Sequence, residues 1–385
     1  MVKRRFWITR IEDAWARRPI VWLSGVRRSG KTSLALSLDD TEYLDCELPR
    51  VRQTLSDPEG FWRSLPKGRR VVLDEVHRLS APAELLKIAA DHFAHLRVLA
   101  TGSSTLGASS KFSDTLTGRK TEIRLTPLCA EDLEDFGRED LPRRLLRGGL
   151  PPFYLAETLR GGDLQEWIDS YWARDVQELF RLERRNAFMR FLELLLARSG
   201  GMFEASAFAG LCEVSRPTIS NYLRAMEATH VAHVIRPFST RRHSEIVAAP
   251  KVYGFDTGFV CHMRGWDRLR PEDRGGLWEH LVLDQMRAHG LDGQPRYWRD
   301  KLDREVDFVL PGRREKPCAI ECKWSSAAFK SEGLNAFRRL HPDGENIAVC
   351  SDVDRPRMER IGGRVVRFTG LAMLHRTLAE ALEPT

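Results

Sequence analysis

Gly25-Val26-Arg27-Arg28-Ser29-Gly30-Lys31-Thr32 stands directly after the apolar run Val21-Trp22-Leu23-Ser24 and directly before the helical pattern Ser33 to Leu38. The spacing is G-x-x-x-x-G-K-[ST], and strand, glycine loop and helix in that order make a cradle for phosphate. Backbone N–H groups of the loop and the positive end of the helix point at an anion. Lys31 then neutralises the β and γ oxygens, and Thr32 holds Mg²⁺ at about 2.1 Å. Gly25, Arg28, Ser29, Gly30 and Ser33 complete the expected contacts to ATP. The alternative, a chance glycine turn before a helix, leaves the flanking strand and helix unexplained.

Working outward, residues up to about Pro127 alternate short β-branched runs with helical patterns, as an α/β domain with a largely parallel sheet does. Val71 to Asp74 and Val98 to Thr101 are the other clear strands, and ligands in such sheets bind beyond the carboxyl ends of the strands. Asp74 and Glu75 close the first of them, Asp74 supporting Mg²⁺ and Glu75 acting as general base toward water. Two adjacent carboxylates at a strand end read otherwise as a solvated turn. The next strand ends at Thr101-Gly102-Ser103-Ser104, where Thr101 and Ser103 read equally as γ-phosphate sensors or as turn and cap residues. Arg119, after Gly118, reads as an arginine finger acting in cis or across subunits, or as an ordinary surface arginine.

Phe203 to Val214 followed by Ser215-Arg216-Pro217-Thr218-Ile219-Ser220-Asn221-Tyr222-Leu223-Arg224-Ala225-Met226 reads as helix, turn, helix. Ile219, Tyr222, Leu223 and Met226 fall on one apolar face, which leaves Thr218, Ser220, Asn221 and Arg224 outward as on a DNA-recognition helix. Thr240-Arg241-Arg242-His243 lies between two β-like runs, so a winged helix with Arg241 and Arg242 near phosphate is expected. A winged helix used only for protein packing is the competing reading.

Arg304-Glu305-Val306-Asp307-Phe308-Val309-Leu310 and Cys318-Ala319-Ile320-Glu321-Cys322-Lys323-Trp324 form a hairpin candidate. With the turn centred near Arg314, Asp307 faces Glu321, and period-2 geometry puts Glu321 and Lys323 on one face and Ile320, Cys322 and Trp324 on the other. Asp307 and Glu321 then bind Mg²⁺ or Mn²⁺, Lys323 orients the attacking water, and Glu279 on a preceding helix completes the metal site. The bland alternative is Lys323 bridging the two carboxylates as a salt-bridge cluster.

The 385 residues are 42% hydrophobic and 30% charged, with 18 Phe and 10 Trp, too much large apolar surface for a disordered chain. The length predicts several domains: an ATPase core over 1–130, a helical connector over 131–198, a winged helix over 199–254 and an α/β domain over 255–385. No apolar stretch approaches the ~20 residues a bilayer span needs, and Met1 to Arg18 lacks a signal core, so a cytoplasmic protein with no membrane contact is expected. A net charge of +7 favours a polyanionic partner. The 7 cysteines are scattered, with no Cys-x-x-Cys pair, and read as reduced, packed thiols.

These segments together resemble a large bacterial and archaeal family of AAA+-type ATPases carrying a conserved C-terminal domain of unknown function. The resemblance rests on Gly25 to Thr32, Leu73-Asp74-Glu75, Thr101-Gly102-Ser103-Ser104, Gly118-Arg119, Thr218 to Leu223, Phe255-Asp256-Thr257-Gly258, Glu305-Val306-Asp307-Phe308 and Glu321-Cys322-Lys323. It implies a P-loop ATPase core, a winged helix and a domain similar to PD-(D/E)xK nucleases, a restriction-endonuclease-like α/β fold whose relatives include archaeal Holliday-junction resolvases. Asp307, Glu321 and Lys323 match the acidic and lysine positions of that pattern, and Glu279 its helical glutamate. A homo-oligomeric ring, a hexamer among the options, is implied by the same resemblance. The expected function is ATP-driven processing of branched or single-strand-containing DNA, with cleavage open; the other reading is a nucleotide-dependent protein-interaction switch.

Overall fold

Five short runs build the first sheet, the three inner ones apolar and buried on both faces and the two edge ones only partly buried. In the computed structural model, which describes residues 2–102, 115–180, 182, 184–239, 249–291, 295–312 and 316–382, these runs are β1 (Ile20–Ser24), β2 (Thr41–Asp45), β3 (Arg70–Asp74), β4 (Arg97–Thr101) and β5 (Lys120–Arg124). All pairings are parallel, in the order β2-β3-β4-β1-β5. The expected strands ending at Ser24, Asp74 and Thr101 are therefore neighbours or near neighbours, and their carboxyl ends open on one edge. Ile20, Trp22, Val71, Leu73, Val98 and Ala100 pack on Leu85, Leu86 and Trp62 from flanking helices. Trp62 Nε1 donates to Leu85 O at 3.0 Å, so its polar atom is satisfied inside the core.

Two compact units divide the chain: Met1–Glu139 with Leu150–Glu183 and Arg224–Val231, and Asp140–Gly149 with Arg184–Leu223 and Ala232–Thr385. This differs from four consecutive segments, because the expected connector over 131–198 is shared out between the two units. In the first unit, Tyr171 shares a hydrogen bond of 2.7 Å with Thr229, which ties 224–231 to the helix Gly161–Tyr171. In the second, the wholly buried Arg144 pairs with Asp284 at 3.0 Å. Long-range polar contacts of this kind leave no periodic signal in a sequence.

In the second unit, helices Arg185–Ala197 and Ala205–Cys212 and residues 216–223 of the helix Arg216–Ala228 accompany a small sheet of β6 (Gly201–Met202), β7 (Ala232–Ile235) and β8 (Lys251–Gly254), antiparallel in the order β6-β8-β7. Ser215 Oγ accepts from the backbone N of Thr218 at 3.3 Å, capping the third helix where the sequence turns. A mixed six-stranded sheet follows, β13-β14-β12-β11-β10-β9, made of β9 (Arg296–Arg299), β10 (Glu305–Leu310), β11 (Cys318–Lys323), β12 (Asn346–Cys350), β13 (Arg357–Ile361) and β14 (Arg364–Thr369). The β10–β11 hairpin pairs Phe308 with Ile320 and Leu310 with Cys318, the register expected of a turn near Arg314. Ile320 and Cys322 go into the core with Trp324 packed against it, as period-2 geometry requires. All seven cysteines are buried free thiols, so the expectation of packed cysteines holds. Among the described residues, no helix is long and apolar enough to cross a membrane.

Candidate functional site

The glycine loop closes over a cavity of about 320 Å³ in the first unit. Gly25 has φ +153, and a Cβ there would meet Leu125 O at 2.6 Å, so only glycine lets the loop leave β1 at this angle. Lys31 folds back on the loop, its Nζ donating to Gly25 O at 3.0 Å and Val26 O at 3.2 Å. Burial pushes its pKa down, against the pull of the Glu75 and Asp175 carboxylates. Ser29 is fully buried and its Oγ has no hydrogen-bond partner among the described residues, an unsatisfied polar atom inside the cradle. Arg28, Gly30, Thr32 and Ser33 also line the cavity.

Asp74, at the end of β3, is nearly inaccessible and accepts from Thr32 Oγ1 at 2.8 Å and Tyr43 OH at 2.7 Å. Thr101 Oγ1 donates to its other oxygen and accepts from the backbone N of Glu75 at 3.1 Å. Thr101 Oγ1 thus bonds both Asp74 and the backbone of Glu75, a contact that neither the phosphate-sensor reading nor the turn-and-cap reading gave it. Ser103 lies outside the described residues. Glu75 adopts φ +53, a left-handed conformation uncommon for a non-glycine residue, which swings its carboxylate to the cavity wall. There it pairs with His77 Nδ1 at 3.1 Å. Burial alone would raise the Glu75 pKa, but the His77 hydrogen bond and the Lys31 charge outweigh it and hold the group below the usual carboxylate range. Thr32 and Asp74 offer oxygen donors side by side, the donor chemistry that suits Mg²⁺.

Sequence reasoning missed the wall opposite. Pro151, Pro152, Arg174 and Asp175 line the same cavity, Asp175 pairing with Arg27 at 3.2 Å. Arg28 pairs with Glu166 at 2.6 Å, and Trp167 Nε1 donates to Arg27 O at 3.0 Å. Both P-loop arginines are thus held by acids far along the chain. Arg119 does not line the cavity; it pairs with Asp91 at 2.6 Å.

In the second unit the hairpin carboxylates meet their expected lysine. Lys323 Nζ donates to Glu321 Oε2 at 2.8 Å and Asp307 Oδ2 at 3.1 Å, and Asp307 also accepts from the backbone N of Cys322 at 2.7 Å. Glu279, from the helix Arg274–Ala288, converges on the same place. Its oxygen lies within 4.8 Å of oxygens from Asp307 and from Glu305, an acid that sequence analysis did not single out. Period-2 geometry carried the missing signal, since Glu305 is two residues from Asp307 on one strand. Lys251 and Tyr253, both on β8, donate to Glu279, and Lys251 also to Glu305. Burial, with Asp307 nearby, raises Glu279 to about 7 and Glu321 to about 8.

On the helix Arg216–Ala228, Ile219, Tyr222, Leu223 and Met226 are buried, while Asn221 and Arg224 are exposed and Thr218 and Ser220 half-buried. Thr218 Oγ1 hydrogen-bonds Ser215 Oγ at 2.8 Å and Ser220 Oγ donates to Arg216 O at 3.2 Å, so two of the expected contacts are partly used within the helix. Arg241 and Arg242 lie outside the described residues.

Comparison with known proteins matches residues 17–134 to an AAA domain, residues 138–270 to a domain of unknown function (DUF8612) and residues 274–368 to a second (DUF4143). Uncharacterized proteins of Mycobacterium bovis and Mycobacterium tuberculosis are each 28% identical over 350 residues, spanning 87% of this chain and 77% of theirs. Among solved structures, a Walker-type ATPase of Pyrococcus abyssi aligns with 69% of this chain and 96% of its own at 19% identity and a TM-score of 0.44. A RuvB variant of Thermotoga maritima aligns with 64% and 93% at 19% identity and a TM-score of 0.32. The chain carries a P-loop ATPase domain.

Proposed function

We propose that this chain is an ATP-hydrolysing DNA-processing enzyme, which binds and remodels branched or single-strand-containing DNA by translocation, unwinding or branch migration. The observation that carries the reading is the meeting of Lys31, Thr32 and Glu75 around one cavity, with Asp74 hydrogen-bonded to Thr32 beside it, built by two separate stretches: the start of the helix Lys31–Leu36 and the end of β3. Lys31 leaves the loop carbonyls for the β and γ phosphates. Thr32 and Asp74 would hold Mg²⁺, which would neutralise phosphate charge. Glu75, kept ionised by His77 and Lys31, takes the proton of the attacking water.

The net charge of +7 and the outward polar side of the helix Arg216–Ala228, read as the second helix of a winged helix, support DNA as the partner. Arg119, held outside its own cavity, suits a finger offered to the next copy in a ring. At the second site Glu279, Glu305 and Asp307 bring together the oxygen donors a hard cation such as Mg²⁺ or Mn²⁺ prefers, with Glu321 tied to Asp307 through Lys323, which would orient water for strand cleavage in a nuclease-like fold.

The lysine bridges favour a second reading, in which that site is a sealed ion-pair cluster and nucleotide binding drives association with a protein. ATP hydrolysis and strand integrity, followed together on single-stranded, duplex, forked and four-way-junction DNA with Mg²⁺ or Mn²⁺, separate the two. DNA processing requires several-fold stimulation of hydrolysis by at least one branched substrate, loss of turnover in Lys31→Ala, and loss of any cleavage in Lys323→Ala with hydrolysis intact. Hydrolysis indifferent to every DNA moves the reading to the protein-directed switch.

A further inference from the structure

Lys251 is a buried cation carried into the carboxylate cluster by a strand of a different sheet. It belongs to β8, the central strand of the small sheet, opposite Ile235 on β7 and Met202 on β6, so its backbone is fixed on both sides. Its side chain is 7% exposed, with the Tyr297 ring 5.8 Å from Nζ. The ammonium reaches Glu279 Oε1 at 3.4 Å and is in closer contact with Glu305 Oε1. Those oxygens belong to two of the three acids that converge within 4.8 Å. Tyr253, two residues on and therefore on the same face of β8, donates its hydroxyl to the same Glu279 oxygen.

A hard divalent cation binds carboxylate oxygens at about 2.1 Å, so oxygens on opposite sides of it are roughly 4.2 Å apart. An ammonium already touching the carboxylates of two of these three acids competes for the place that ion would take. Lys323 differs, because it bridges Asp307 to Glu321 and leaves Glu279 and Glu305 to Lys251. The geometry points to Lys251 as a tethered counter-ion that a divalent cation must displace, setting the affinity threshold of this site. The inference rests on the reading that the cluster takes a divalent cation; what it adds is a competitor built into the chain, on a strand outside the hairpin that supplies Asp307, Glu321 and Lys323.

The test is Mn²⁺ binding to the full chain without nucleotide, followed by the electron paramagnetic resonance of the free ion, counting only the binding that Asp307→Asn removes. Lys251→Met should bind Mn²⁺ at least tenfold more tightly than the wild type, Lys251→Arg should show no such gain, and adding Glu305→Gln to Lys251→Met should reverse it. A wild-type readout stands beside the variants: acetylation of Lys251 by an N-hydroxysuccinimide ester, read by mass spectrometry, should rise when Mn²⁺ is added. Mn²⁺ binding that is equal or weaker in Lys251→Met, with acetylation of the wild type unmoved by the ion, overturns the displacement while leaving the cation site standing. Absence of Asp307-dependent binding in both wild type and Lys251→Met removes the cation site itself and this inference with it.

Discussion

Glu75→Gln is expected to lower the turnover number for ATP by about 10²–10⁴ while leaving nucleotide affinity within a few-fold of the wild type. The amide has the shape of the carboxylate and keeps an oxygen for His77, so the cavity survives, but it accepts no proton from water. Backbone geometry gives independent weight to the role. A left-handed φ of +53 at a residue with a full side chain is an unfavourable conformation, and here it turns the carboxylate toward the cavity beside Lys31. Lys31→Ala should behave differently, losing affinity and turnover together, because its ammonium faces phosphate in both ground and transition states. The pH profile has a definite sign as well. Since Glu75 is held below the usual carboxylate range, wild-type turnover should stay level as pH falls toward that range and decline only below it. Phosphate release and calorimetric binding of a non-hydrolysable ATP analogue measure both quantities. Turnover in Glu75→Gln within a few-fold of the wild type would sink the assignment.

The parts of these sites that were legible in the sequence are those whose chemistry is contiguous or strictly periodic. Gly25 to Thr32 needs eight consecutive residues and two flanking elements, all visible in the chain. Asp307 and Glu321 could be placed opposite each other because an antiparallel hairpin fixes register from the position of its turn, and the observed pairing of Phe308 with Ile320 follows that rule. Asp175, Glu166 and Lys251 obey no such rule. Each meets its partner across more than twenty intervening residues and several turns of chain, and nothing in the local pattern of Trp172-Ala173-Arg174-Asp175 says that the acid will reach Arg27. Thr101 shows an intermediate case: its place at a strand end was readable, but whether its hydroxyl meets phosphate or Asp74 depends on side-chain geometry alone. The domain limits were hidden for a similar reason. Gly149 stands at one such limit, and it is held there by Asp256, more than a hundred residues on, whose carboxylate accepts from Gly149 N at 2.6 Å and from Gly258 N at 2.9 Å.

Arg144→Met should destabilise the second unit by about 3–5 kcal/mol near pH 8, and by clearly less near pH 5. Arg144 is wholly buried, with Nη2 donating to Asp284 Oδ2 at 3.0 Å and Nη1 to Thr257 Oγ1 at 3.1 Å, while Asp256 contributes a further nearby negative charge. Methionine fills much of the same volume, so the effect measures charge more than space. The two glycines above it have no room to rearrange: a Cβ at Gly149 would lie 2.5 Å from the guanidinium carbon, and one at Gly148, where φ is +78, would lie 1.8 Å from Asp256 Oδ1. Burial already lifts Asp284 to about 7, with Arg144 pulling it down. A carboxyl whose folded pKa exceeds its unfolded value stabilises fully below the unfolded value, and that contribution is lost as pH rises through the folded one. Removing Arg144 raises the folded pKa further and widens the window, so the variant pays most where the unfolded chain is ionised and the buried acid resists ionisation. At pH 5 the acid in the variant is protonated and its isolation costs less. Urea melts at pH 5 and pH 8 check the slope, and Arg144→Met with Asp284→Leu should recover much of the loss by removing the stranded acid. Equal destabilisation at the two pH values would mean that Arg144 serves packing alone.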